Sequence, residues 1–437
     1  MLAGYLSLSR SFAYLGLPTL LVPLGLPAIP LYLGELSLAA FVLAKPSLSV
    51  GRWFKAMLAP SPLSGVSWSF YALFFYGIFE VLRGISLGYP PITALQSFAF
   101  NFYPLYFFLG LWIGGRRPNF LPKFVRAFAW WNGIYGVAYM LFLHQLPFFL
   151  PGTEVPLFSQ PTGSAIALVG LLCYERRLMN AWLPILLNCF VLLGIQVRAE
   201  WAGFVAALLL WGWLAKRLSR VLAGVAAVGL LLLLGALLDI NLPSPRGEIA
   251  TRELIGRGIA PVNPELAAQY TEEAEVYAGT VSWRTAWWSA IWNAVHDEPE
   301  TALIGLGYGY PLATLALEVP PIIRTPHNVF FYALGYSGWL GVVFFACFQI
   351  ALGRLLWRAR GASQLFGLAV FVMGLTISLF SNFFETPFNA ISFYLLVGIA
   401  AAPALSVTAP PRAQLPSELR LRESSASAVD APKVSTT

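Results

Sequence analysis

Charge is what this sequence has least of. Asp, Glu, Lys and Arg together make up 11% of its 437 residues, against about 25% in soluble globular chains. That deficit excludes an ordinary soluble domain. Cysteine is scarce too: Cys173, Cys189 and Cys347 are the whole complement. All three lie inside apolar runs, without metal-ligand or disulfide spacing, and read as small core residues. There are only three histidines. No Asp-x-Asp carboxylate pair occurs where a site could form. Glu272, Glu273 and Glu275 cluster, but on a polar stretch that reads as a solvated helix face. No metal and no cofactor are expected. The net charge of +7 is no sign of nucleic acid, because the cations gather in short loops between apolar runs, as topology signals do.

What fills the space is apolar. The chain is 58% hydrophobic and 15% aromatic, with a mean hydropathy of +0.70. A membrane span needs about 20 apolar residues, and twelve candidate runs occur. They lie near 9–27, 29–45, 66–86, 93–113, 124–143, 162–175, 180–197, 201–215, 220–240, 327–351, 363–383 and 387–406. The first follows Arg10 without a small-x-small cleavage site and reads as an uncleaved span. The expected fold is an all-α polytopic membrane protein of about 12 transmembrane helices. Residues 1–240 hold spans one to nine, 241–326 form one large helical loop, 327–406 hold spans ten to twelve, and 407–437 form a Pro-, Ser- and Ala-rich cytoplasmic tail without fixed structure.

Lys and Arg orient these runs. Basic clusters follow every even-numbered span: Lys45, Arg52 and Lys55; Arg116, Arg117, Lys123 and Arg126; Arg176 and Arg177; Lys216, Arg217 and Arg220; Arg354, Arg358 and Arg360. Both termini are therefore expected in the cytoplasm and the 241–326 loop outside. That loop carries ten Asp or Glu and five Lys or Arg, a net of −5. A loop of this length in a compact protein is usually functional. Within it, Trp283, Trp287, Trp288, Ile291, Trp292 and Val295 recur at helical spacing. This aromatic face either packs onto the spans or lies on the membrane interface. "PELAAQYTEEAE" reads as a polar helix before it, and "GLGYGYP" as a turn-rich connector after it.

Ionisable groups are costly in a bilayer, so their depth is informative. In this topology Glu35, Glu80, Arg83, His144, Arg198, Glu200, Asn382, Glu385 and Asn389 all fall at the outer rim, and the loop brings Arg284, Arg324 and His327 to the same face. Arginine donates paired hydrogen bonds and stays charged, which suits phosphate and diphosphate. Arg198 and Trp201 share a helix face at i, i+3. The plain alternative for Arg198 is a solvated loop charge, and for Arg284 a cation–π pair with its tryptophans. His327 can accept a proton near neutral pH; as the residue between Pro326 and a span, it can equally serve as a cap.

Three motifs carry a resemblance. "TPHNVFFYALGYSGWLG" resembles the His-Asn-x(n)-Gly-x-x-Gly signature of the O-antigen ligase and O-antigen polymerase superfamily. "QVRAEWAG", residues 196–203, is similar to that family's Ser-Arg-Gly-Ala-Trp stretch, with Val197 and Glu200 departing from it. "WRTAWWSAIWNAVHDEPETALIGLGYGYP" resembles its loop segment. The motifs occur in the family's order, across about 195–341. The resemblance implies inverting glycosyl transfer at the periplasmic face of a bacterial inner membrane. The donor would be a glycan on undecaprenyl diphosphate, the acceptor a sugar hydroxyl of lipid A–core or another glycan. It would put Arg198 on the diphosphate and His327 on the acceptor hydroxyl, with Arg284, Arg324, Trp201 and Asn328 as accompanying substrate-binding residues. A polymerase or a protein O-oligosaccharyltransferase would share this chemistry. A transporter or flippase would instead carry its polar groups near the midplane, often on repeated broken helices; here they sit at one rim.

Overall fold

A computed structural model describes residues 62–149, 156–175, 177–238, 241–244, 247–260, 263–272, 274–316 and 325–406. The spans expected at 9–27 and 29–45, the tail from 407 and Arg324 lie outside these residues. The described chain is helical apart from one hairpin. Its helices are α1 (Ser64–Ser86), α2 (Pro91–Phe102), α3 (Leu105–Arg116), α4 (Phe120–Leu141), α5 (Ser164–Tyr174), α6 (Trp182–Gly194), α7 (Arg198–Leu214) and α8 (Leu218–Leu237), followed by strands β1 (Asn241–Ser244) and β2 (Gly247–Ala250). Then come α9 (Thr251–Ile259), α10 (Pro264–Ala267), α11 (Ala274–His296), α12 (Pro299–Ile304), α13 (Val329–Arg358), α14 (Gly361–Ser378) and α15 (Pro387–Ser406).

Every apolar run expected within the described residues coincides with a helix. Six stretches there are long and apolar enough to cross a membrane: α1, α2 with α3, α8, α13, α14 and α15. This makes the chain a multi-pass membrane protein by length and composition. Six is fewer than the expected count for physical reasons. Helices α5 and α6 are apolar but short. Helix α7 has 17 residues and opens on Arg198 and Glu200, and α4 carries Lys123 and Arg126 in its first two turns. The 93–113 run is two helices, because Pro104 forces a break after Tyr103.

Packing follows membrane rules, where small residues let backbones touch. Helix α3 lies on α15 so closely that a Cβ added at Gly398 would stand 2.1 Å from the Phe107 carbonyl, and one at Gly110 would stand 2.2 Å from that of Leu395. A buried amide cluster ties α4, α5 and α6: Asn132 donates to Ser164 Oγ at 2.9 Å and to Asn188 Oδ1 at 3.0 Å, and Asn188 donates to the Ala129 carbonyl at 2.8 Å.

The segment between α8 and α13 departs from the expectation twice. It opens with an antiparallel hairpin pairing Asn241 with Ala250 and Ser244 with Gly247, because Pro243 and Pro245 deny this stretch a helix. The expected polar helix over 264–275 is a single turn, α10. The aromatic helix α11 does form, and its face is divided between buried and exposed positions. Trp287, Ile291 and Val295 are fully buried, whereas Trp292 is 41% exposed.

The glycine turn after α12 has an accountable role. Helix α13 breaks at Gly338 (φ 61°, ψ −165°), which releases carbonyls from the helical ladder. The turn takes them: Leu306 N–H donates to Gly335 O at 2.8 Å and Gly307 N–H to Tyr336 O at 3.0 Å. Tyr76 from α1 donates to Ser337 O at 2.7 Å. Gly305, Gly307 and Gly309 have φ of 73°, 92° and 92°, so side chains there would be strained. From the other side Arg83, paired with Glu80 at 2.8 Å, donates to the carbonyls of Ile304 and Gly305 at 2.6 and 2.9 Å. The loop is thereby bolted to the start of α13.

Candidate functional site

The bundle has two chemically distinct ends. At one, the exit of α7 meets α13 through Trp213 and Trp357, ring centroids 6.4 Å apart, and the end of α5 meets the start of α14 through Tyr174 and Ser363 at 3.4 Å. Among the described residues, Arg126 pairs with Glu175 at this end, Nε to Oε1 at 2.8 Å, and Lys216, Arg217, Arg358 and Arg360 flank the exits of α7 and α13. At the other end lie the start of α7, the end of α14, the start of α13 and the loop helices, and this is where the motif residues converge.

Arg198 opens α7. Gln196 before it is buried and held at φ 58°, which turns the chain from α6 into α7; a non-glycine residue in this region is uncommon and marks constraint. Arg198 Nη1 donates to the carbonyl of Arg257 on α9 at 3.4 Å. Arg257 pairs with Glu253 one turn back, Nε to Oε1 at 3.0 Å. Leu254 of α9 packs with Met140, Val191 and Ile195, the site ends of α4 and α6. The loop thus lies over the start of α7.

Arg284 arrives from α11. Its Nη1 donates to the Phe380 carbonyl at 3.4 Å, just past the end of α14, and its guanidinium stands 5.3 Å from the Trp283 ring. Its Nε is buried without a hydrogen-bond partner among the described residues, and no ion pair there involves Arg284. Burial, and then the charge of Arg198, push the Arg284 pKa below its ordinary value. Two arginines therefore repel each other near the N-terminus of α7, an arrangement that an anion relieves.

His327 lies close enough to Arg284 to feel its charge. It too has a left-handed backbone, φ 53°, and its ring meets Trp283 edge-on at 6.2 Å. Its Nδ1 lies 2.9 Å from the Thr325 carbonyl. A carbonyl only accepts, so Nδ1 carries the proton and Nε2 keeps its lone pair. Burial first, and Arg284 second, lower its pKa to about 4; the ring is neutral at pH 7.

Two other candidates have their polar atoms committed to the fold. Asn328 caps α13, accepting from the N–H groups of Phe330 and Phe331 at 2.9 and 3.2 Å, and donates to the Leu379 carbonyl at 2.9 Å. It pins the start of α13 to the end of α14 beside Arg284. Trp201 gives its indole N–H to the Leu192 carbonyl of α6 at 2.8 Å. Both position the site. Arg257 and the Phe380 carbonyl were not legible as parts of it; the Glu253–Arg257 spacing of i, i+4 is the only hint, and it is common on solvated helices. Glu385, on the turn between α14 and α15, has buried carboxyl oxygens, and burial pushes its pKa up to about 8. A cavity of about 50 Å³ lies between the site ends of α5, α7, α14 and α15, lined by Gly163, Val197, Glu200, Ile377, Ser381 and Asn389. Among the described residues no three His, Cys, Asp or Glu side chains converge as a metal site.

Among curated proteins no match to the chain is found. Residues 164–346 match the family model described as O-antigen ligase. The match begins at the first residue of α5 and ends beyond the Gly338 break in α13, so it contains Arg198, Arg284 and His327 together with the loop that joins them. That match, over residues 164–346, supports the O-antigen ligase and polymerase superfamily for this part of the chain.

Proposed function

We propose that this protein is a ligase-type inverting glycosyltransferase. It moves a glycan from undecaprenyl diphosphate to a sugar hydroxyl, such as one of lipid A–core, at the periplasmic face of a bacterial inner membrane. The observation that carries the reading is Arg284, a half-buried cation whose Nε has no hydrogen-bond partner among the described residues and whose charge is coupled to both Arg198 and His327. An uncompensated buried cation is costly. A diphosphate returns that cost and gains paired hydrogen bonds from planar guanidinium groups.

The chemistry balances without a further reagent. The acceptor oxygen attacks the anomeric carbon of the donor sugar from the face opposite the diphosphate. The carbon–oxygen bond to phosphate breaks, and its electron pair leaves with undecaprenyl diphosphate. The hydroxyl proton passes to His327 Nε2 and then to water. Arg198 and Arg284 stabilise the charge that grows on the leaving oxygen, a task assigned elsewhere to a divalent metal. Arg324 is proposed to join them. Diphosphate binding also cancels the repulsion that Arg284 exerts on His327, so the ring becomes a better base once the donor is in place.

The test is reconstitution. Purified protein with a defined lipid-linked glycan should transfer that glycan to lipid A–core after EDTA treatment and removal of divalent ions. Transfer only after Mg²⁺ or Mn²⁺ is restored would overturn the metal-independent reading. A product in which the glycan extends another lipid-linked glycan, or sits on a protein hydroxyl, would reassign the acceptor.

A further inference from the structure

Helix α11 carries a second face beside its buried one. Thr285, Ser289 and Asn293 recur at i, i+4 and i+8, one per turn, next to Trp288 and Trp292. With Phe331 of α13 these residues enclose an open groove of about 250 Å³, near the lower end of small-molecule sites at ~300–1,000 Å³. Trp288 stacks on Phe331 with centroids 5.3 Å apart and planes 10° from parallel. The Trp288 indole N–H donates to the Pro326 carbonyl at 2.8 Å, one residue before His327, and Phe331 is one turn after it. The groove therefore shares a wall with the segment that carries the proposed base. Trp287, the neighbour of Trp288 on α11, is by contrast fully buried.

We infer that this groove holds a sugar ring of the acceptor glycan and aims its hydroxyl at His327. The inference rests on the transferase reading for the word acceptor, but the groove's chemistry stands apart from it. A pyranose has an apolar C–H face and a rim of hydroxyls. The indole and phenyl faces match the first. The hydroxyl of Ser289 and the amide of Asn293, which both donate and accept, match the second, and the Thr285 hydroxyl, which donates to the Val281 carbonyl at 2.6 Å, remains an acceptor. A polyprenyl chain fits worse. Ser289 and Asn293 are exposed and have no hydrogen-bond partner among the described residues, and a hydrocarbon chain would bury them unpaired. A diphosphate fits worse still, because no cation lines the groove.

The experiment uses the full-length protein in lipid nanodiscs. Saturation-transfer NMR with glucose, galactose, mannose and N-acetylglucosamine as probes should show transfer from aromatic protons to at least one sugar. The signal should fall at least fivefold in Ser289→Trp, which fills the groove from an exposed position, and in Trp292→Ala, which removes a platform. In the transfer assay the same variants should raise the acceptor KM about tenfold, ~1.4 kcal/mol of binding, and leave the donor KM within twofold. Equal sugar signals in wild type and both variants, or none with any probe, would overturn the inference. So would a rise in donor KM instead, which would give the groove to the polyprenyl chain. If the transferase reading alone fails, the wild type moves no glycan while the sugar contact persists; if the groove alone fails, transfer proceeds and the acceptor KM of Ser289→Trp stays at the wild-type value.

Discussion

His327 is neutral in the free protein because burial and Arg284 hold its pKa near 4. A base must be deprotonated to act, so activity falls as pH drops through that pKa. The free protein governs kcat/KM and the loaded one governs kcat. An anion beside Arg284 removes a repulsion and raises the His327 pKa towards its ordinary 6.5. The acid limb of kcat should therefore lie at higher pH than that of kcat/KM for the donor. Coincident limbs in the two profiles would remove the coupling through Arg284. Arg198→Lys and Arg284→Lys keep a charge but lose the planar fork; each should weaken undecaprenyl diphosphate binding, and each Ala variant should weaken it further. Unchanged affinity in all four would take both arginines out of the donor site. Arg198, Arg284 and His327 could be singled out as candidates in the sequence because so few ionisable groups accompany the apolar runs, and their mutual electrostatic influence is what the fold adds. The left-handed backbones of Gln196 and His327 were not readable, since non-glycine residues announce no positive φ. Nor was the positioning role of Asn328 and Trp201, which depends on carbonyls 51 and nine residues away.

The helices were legible as apolar runs, although only six stretches among the described residues are long and apolar enough to cross a membrane. What the runs could not convey is how they pack. The approach of α3 to α15 depends on Gly110 and Gly398 facing backbone, and glycine in an apolar run looks the same whether it faces a helix or lipid. Gly398→Ala would place a methyl group 2.1 Å from the Phe107 carbonyl, so it should cost about 1–3 kcal/mol through forced separation. Gly115→Ala meets nothing within 4 Å and should be neutral or stabilise α3 by up to about 1 kcal/mol. Thermal unfolding in one detergent separates the two, and equal melting temperatures would contradict the packing. The break at Gly338 was likewise hidden. Its sequence reads as one unbroken span, and only the glycine turn bonding to Gly335 and Tyr336 accounts for it. The short amide cluster of Asn132, Ser164 and Asn188 was missed because polar residues inside apolar runs have no sequence mark of their partners.

At the scale of the molecule, the basic ends of the helices and the arginine–histidine site lie at opposite ends of the bundle. We propose from the positive-inside rule that the basic end faces the cytoplasm, so reporter fusions at Gly247 and within 412–437 should report opposite compartments. The same compartment for both would overturn the topology. The central claim is narrower: arginines hold the donor and His327 serves the acceptor. The measurement that tests it most directly is made on purified, folded His327→Ala protein, with undecaprenyl diphosphate affinity and turnover determined on the same sample. The account predicts wild-type donor affinity, wild-type melting temperature and turnover reduced by about 10²–10⁴-fold, or ~3–5 kcal/mol of barrier. Turnover within twofold of wild type in that folded variant would contradict it.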